Sequence, residues 1–206
     1  GTSEAQLAAV LQKIRRDSFI LQTKVAPQAN PDEFEKVFLT SLSRLQQPSV
    51  DLFSLHGIND RETMEWSVRP GGCLDRAREW QKKGLCRWVG FSTHGSPELV
   101  EELVSSGRFD YVNLHWYYIF QEHDRSLEAA RKNDMGLFII SPNDKGGMLY
   151  KPSKVLSDLT APLTPMAFNT LFCLRDPRIH TLSIGASKPT DFDEHVSALG
   201  KLHEVD

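Results

Sequence analysis

Cysteine is scarce: three residues, at positions 73, 86 and 173, with no Cys-x-x-Cys pair among them. Neither a disulfide framework nor a cysteine-built metal knuckle follows from that spacing, and a reducing compartment suits it best. Long apolar runs are absent too, none approaching the roughly 18 residues that a membrane-crossing helix requires. Basic charge is not in excess, with 24 Lys and Arg against 27 Asp and Glu, so nothing draws the chain toward nucleic acid. No Gly-x-Gly-x-x-Gly turn follows the first strand pattern, where a dinucleotide-binding Rossmann half would carry one. No short repeat recurs. The chain begins at Gly1 without a charged-then-apolar leader or an Arg-rich transit segment. The expectation is therefore a cytoplasmic protein, or one of an organelle lumen or matrix after loss of a targeting peptide.

What is present is an ordinary globular composition, 40% hydrophobic and 25% charged, over a length that supports a sizeable core. Helical and strand patterns alternate with short connections, and one domain over residues 1–206 is the expectation. Ser3-Glu4-Ala5-Gln6 reads as a capping box opening a helix to about Arg16, and Phe19–Val25 reads as a strand. Pro31 starts a helix with Phe34, Val37, Phe38, Ser41, Leu42 and Leu45 on one face. Val50–Gly57 is the next strand, followed by a polar stretch from Asn59 to Gly72 and a helix over Cys73–Lys83. Strands at Arg87–Ser92, Tyr111–Tyr117, Gly136–Ser141 and Thr181–Gly185 are interleaved with helices at Pro97–Ser105, Asp124–Asn133, Met166–Leu174 and Pro189–Leu199. Trp66 and Trp88 read as packing residues, and Arg15, Arg16 and the Asp60-Arg61-Glu62 run as solvated charges.

Six strands alternating with helices predict an α/β fold with a parallel sheet buried under helices. Polar residues stand at the carboxyl ends of strands throughout the chain: Lys24, His56, Ser92, Thr93, His94, His115, Ser141 and Ser187. A doubly wound sheet concentrates its site at one switch point, so this spread favours a barrel. Lys24 and His56 end consecutive strands of one strand-helix-strand unit. Parallel neighbours present their carboxyl ends on one face, and an ammonium beside an imidazole in an apolar setting stabilises charge developing on a carbonyl oxygen.

Gln22-Thr23-Lys24, Leu55-His56, Gly90-Phe91-Ser92-Thr93-His94, Ile140-Ser141-Pro142 and Gly185-Ala186-Ser187, in this order, resemble the aldo/keto reductases. Leu55-His56-Gly57-Ile58-Asn59-Asp60, Arg69-Pro70-Gly71-Gly72-Cys73, Asn113-Leu114-His115-Trp116-Tyr117 and Ile139 to Met148 resemble most the branch often followed by a cysteine-rich iron–sulfur segment. The resemblance implies a (β/α)8 TIM-barrel type, with six of the eight strands in this chain. It also implies a nicotinamide dinucleotide, NADP or NAD, and reduction of an aldehyde or ketone to an alcohol. Lys24 matches the active-site lysine and His56 the histidine that orients the carbonyl. Ser92 sits where the family hydrogen-bonds the nicotinamide carboxamide, and Thr93 stands where many members carry asparagine, a conservative departure that still offers a hydroxyl to the cofactor. Ser141, Lys145, Gly185, Ser187, Lys188, Glu194 and His195 fall in the regions that meet the rest of the cofactor. No metal ligand is implied.

The chain also departs from the family pattern. Asp191 stands where NADPH-preferring members often carry arginine, His195 where asparagine usually meets the adenine, and Ile140 where an aromatic side chain commonly stacks on the nicotinamide. The family's aspartate and catalytic tyrosine precede the helix at Ser3, so the resemblance puts them, and two strands, before Gly1. A barrel domain incomplete at its N-terminal side is thus expected, its open edges at Phe19–Val25 and Thr181–Gly185 covered by further residues or a partner subunit, with Phe19, Leu21, Leu182 and Ile184 short of packing partners. Two other readings compete. One is a non-catalytic aldo/keto-reductase-like subunit that binds a partner or senses cofactor, and the other a Schiff-base enzyme using Lys24 as nucleophile.

Overall fold

The computed structural model describes residues 2–144 and 147–202. The chain forms two compact units, residues 1–112 and 113–206. In the first, α1 (Ser3–Leu11), β1 (Gln22–Val25), α2 (Pro31–Leu45), β2 (Val50–His56), α3 (Arg61–Val68), α4 (Cys73–Lys82), β3 (Cys86–Ser92), α5 (Pro97–Ser105) and the start of β4 (Tyr111–Leu114) follow one another. The second holds the end of β4, then α6 (Asp124–Lys132), β5 (Gly136–Ile140), α7 (Lys154–Thr160), α8 (Pro165–Arg175), β6 (Thr181–Ser183) and α9 (Asp193–Leu199). Within each unit the strands lie side by side in chain order. β1 with β2, β2 with β3 and β5 with β6 are parallel. Strand order that never reverses, with helices between successive strands, is the wall of a (β/α)8 barrel rather than a doubly wound sheet. The fold is α/β, with six strands of that barrel type.

Local chemistry sets the element ends. Asn30 caps α2, its side-chain oxygen accepting from the Asp32 amide at 3.0 Å, with Pro31 pre-set for the first turn. Ser96 and Pro97 start α5 in the same way. The polar Asn59–Gly72 stretch contains α3, a helix that composition concealed: Asp60 accepts from the Thr63 amide at 2.8 Å in a reciprocal capping box, while only Ser67 is buried. Helix α7, also unforeseen, is capped by Ser153. The expected capping box at Ser3 does not form, since Ser3 is already helical and Thr2, the cap residue, makes no side-chain bond.

Three expected ends move for tertiary reasons. α1 stops at Leu11 rather than near Arg16, whose guanidinium pairs with Asp51 at 2.7 Å. β1 opens at Gln22 rather than Phe19, because the Asp51 carboxylate accepts from the Leu21 amide at 2.8 Å in place of a ladder partner. β4 ends at Leu114 rather than Tyr117, which turns back to exchange backbone hydrogen bonds with Phe120. Val37 and Trp88 do not pack as expected, being 44% and 45% exposed, and the Arg87 guanidinium lies over the Trp88 ring. Leu21, at the expected open edge, is buried.

The core of the first unit is built on Trp80, Phe34, Phe38 and Phe53, all fully buried. Above it the strands align their polar residues. Lys24 is the register partner of Ser54, Ser54 of Gly90, and His56 of Ser92. Residues two apart in a strand share a face, so Gln22 with Lys24, Ser54 with His56 and Gly90 with Ser92 line one side of the sheet. The Tyr111 hydroxyl lies 2.8 Å from Ser54 Oγ and accepts from Gln22 Nε2 at 3.1 Å, bracing the layer beneath Lys24. Gly90 makes room for this tyrosine: a Cβ there would stand 2.5 Å from the Tyr111 carbonyl oxygen and 2.6 Å from its ring. Gly90→Ala is therefore expected to destabilise the protein by about 1–3 kcal/mol through overpacking. A urea midpoint unchanged from wild type would contradict the tight approach.

Candidate active site

Lys24 is half-buried near the end of β1, and burial lowers its ammonium pKa. No carboxylate among the described residues pairs with it. His56 closes β2 with its side chain facing solvent. Its pKa is lowered by shielding of part of the ring, then by the positive charge of Lys24, then by His94. The imidazole is consequently neutral at pH 7, with one N–H to donate. Lys24 and His56 together form a place where negative charge on a ligand oxygen is welcome.

The loop after β3 is stapled to the loop after β2. Ser92, 3% exposed, accepts from the Gly57 amide at 3.0 Å and keeps its own hydroxyl hydrogen to donate. Thr93, 1% exposed, donates to the Ile58 carbonyl at 2.7 Å and accepts from the Gly95 amide at 2.9 Å. Its hydroxyl thus holds the loop in place. The Asn59 side chain accepts from the His94 amide at 2.7 Å. Asn59 and Tyr111 escaped sequence reasoning because their roles are to brace a neighbouring strand or loop, and no spacing rule marks that.

The second unit carries the other expected positions. Ser141, Gly185 and Ser187 are exposed around a cavity of about 390 Å³ that Asn143, Asp144, Tyr150 and Asp191 also line. Lys188 is exposed at the next turn. Lys145 lies outside the described residues. Glu194 is half-buried and accepts a hydrogen bond from Thr164. His195 is 3% exposed, with Nδ1 2.8 Å from Thr170 Oγ1 and Nε2 3.4 Å from the Asn143 amide nitrogen. It is an internal brace behind Asn143, held neutral by burial. Ile140 is half-buried at the end of β5.

Among the described residues no group of three or more His, Cys, Asp and Glu side chains is placed to hold a metal. No helix among them is long and apolar enough to cross a membrane. The three cysteines are free and buried, and burial raises the pKa of each.

Residues 1–162 match the sequence model of the aldo/keto reductase family. The chain belongs to the aldo/keto reductase family. It is thereby placed among oxidoreductases. The backbone is similar to that of an aldo-keto reductase from Bacillus halodurans in its holo form, with a TM-score of 0.80 at 17% identity over 95% of this chain and 72% of that one. It is also similar to the thermostable aldo-keto reductase Tm1743 in complex with the inhibitor epalrestat, at 0.79 and 20% identity over 100% and 73% of the two chains. An aldo/keto reductase of Klebsiella pneumoniae in complex with NADP and acetate aligns at 0.76 and 16% identity over 96% and 70%. Identity this low shows a shared fold. A comparison with curated protein sequences gives no match.

Proposed function

We propose that the protein is a nicotinamide-dependent carbonyl reductase whose catalytic side chains include Lys24 and His56. The observation that carries this reading is the unpaired, partly desolvated Lys24 beside a neutral His56, at register positions that share one face of the sheet. His56 orients the substrate by donating its N–H to the carbonyl oxygen. The Lys24 ammonium stabilises the charge that grows on that oxygen as the carbonyl is reduced, and its low-dielectric setting strengthens the effect.

A nicotinamide dinucleotide, when bound, supplies the hydride. The residues present fit such a ligand. Ser92 retains a donor for the carboxamide, and the 390 Å³ cavity offers polar walls together with Asn143 Oδ1, a buried atom with no hydrogen-bond partner. Gly185, Ser187 and Lys188 belong to the adenosine end in this reading, with Thr93 and His195 as braces of the residues that touch the ligand. A small aldehyde or ketone is the proposed substrate class.

Addition of NADH or NADPH at one hundred times the dissociation constant is expected to stabilise the protein by roughly 2.7 kcal/mol. For a chain of this size that raises the melting temperature by about 5–10 °C. A melting curve unmoved by both nucleotides would rule the reading out.

A further inference from the structure

Helix α8 carries an apolar stripe that the second unit leaves half-covered. Leu171 and Phe172 stand three and four positions after Phe168, and Arg175 stands four and three positions after them, so all four share one face of the helix. Leu171 is buried, Phe168 and Phe172 are half-buried, and Arg175 is exposed. Together with Leu163, from the turn that leads into α8, they line a cavity of about 290 Å³. Its walls are fixed by contacts behind them. Tyr118 meets Phe168 edge-on at 4.8 Å and Phe172 at 5.4 Å between ring centroids, Trp116 stacks on Phe172 at 4.9 Å, and the Tyr118 amide donates to Asn169 Oδ1 at 2.9 Å. The Leu163 amide donates to the Thr160 carbonyl at 3.0 Å, and the Thr160 hydroxyl donates back to the Leu163 carbonyl at 3.2 Å. Arg175 is the one charged side chain of this lining. Asp176, next to it in the chain, is taken by Arg178 at 2.6 Å, and no carboxylate among the described residues pairs with Arg175.

We propose that this cavity binds a small monocarboxylic acid with an apolar tail, of the medium-chain fatty acid class, with its carboxylate on the Arg175 guanidinium and its tail against Leu163, Phe168 and Phe172. None of these residues has a part in the reductase reading, so the site is additional to it. A guanidinium fork matches a carboxylate through two parallel N–H···O bonds. One cation balances one negative charge, which favours a carboxylate over a doubly charged phosphate monoester. A concave site at the lower end of the ligand-pocket range suits a small molecule rather than the flat face of a protein partner. Rings already held in place lose little freedom when the tail enters, so the apolar contact counts toward affinity.

The test is calorimetric titration of octanoate into the wild-type protein, Arg175→Gln and Lys24→Met, with octanol as the uncharged control. Tryptophan fluorescence is followed in parallel, because Trp116 lies against Phe172. The expected result is saturable binding of octanoate at one site, alike in the wild type and Lys24→Met and at least about tenfold weaker in Arg175→Gln, with octanol also at least about tenfold weaker on the wild type. No saturable binding of octanoate overturns the proposal and leaves the reductase reading standing. So does equal affinity in the wild type and Arg175→Gln, or octanol bound as tightly as octanoate. Binding lost in Lys24→Met overturns it as well, since the acid then occupies the candidate active site. Arg175 is exposed, so the loss of its charge spares the core. The octanol comparison needs no variant and decides by itself if Arg175→Gln does not fold.

Discussion

Lys24→Met and His56→Ala are each expected to lower kcat by about a hundredfold or more, within the range that removal of an acid–base or oxyanion-stabilising group costs. Dinucleotide affinity should stay within about threefold, because neither side chain belongs to the proposed cofactor contacts and both act on charge that appears only in the transition state. Methionine matches the length of lysine without its charge, so the strand end keeps its packing. Steady-state rates alongside nucleotide titration separate the two effects. Wild-type turnover in both variants would remove these residues from the mechanism. Borohydride trapping of a substrate adduct on Lys24 would instead mark the lysine as a nucleophile.

The largest loss of stability is expected from Trp80→Ala. Trp80 is fully buried, stacked 4.3 Å from Phe38 and 5.1 Å from Phe34 between ring centroids, with Phe53 edge-on at 5.2 Å. Its indole N–H donates to Glu35 at 3.0 Å, and Glu35 is also paired with Arg76 at 2.9 Å. Truncation removes the shared surface of three rings and leaves a cavity that β2 and α2 cannot fill without moving. Large aromatic-to-alanine changes in cores cost about 3–5 kcal/mol. A fall in melting temperature on the order of 10 °C follows for a chain this long. Trp80→Phe should cost less than half as much, since it keeps ring contact and loses the hydrogen bond. A fall of only a degree or two for Trp80→Ala would show that the ring cluster is not the core of this unit.

Periodicity was enough for the strands and helices that bury a face. α2 and α5 begin where Asn30, Pro31, Ser96 and Pro97 place their first turns, because caps are local chemistry. Periodicity failed for α3, which buries almost nothing and exists through the Asp60–Thr63 box and the Arg61–Glu102 pair. It failed also just before β1, where the Asp51 carboxylate of β2 accepts from the Leu21 amide in place of a strand neighbour. Distant partners of that kind leave no trace in the spacing of nearby residues.

For the site, residue order alone pointed to the family and to Lys24 and His56 at the ends of neighbouring strands, since parallel strands connected by helices must present their carboxyl ends together. Tertiary structure decided how those side chains are used. Burial around Lys24 is a sum over many residues, and it is what lowers the pKa of the ammonium. The same is true of Thr93 and His195, whose polar atoms are taken up by Ile58, Gly95, Thr170 and Asn143. Asp191 was visible as an anomaly in the sequence, but only the folded turn shows its carboxylate holding the Ser187 and Lys188 amides. A hydrogen bond needs a particular direction and a separation near 2.9 Å, and these are properties of the packed chain that composition and spacing do not encode.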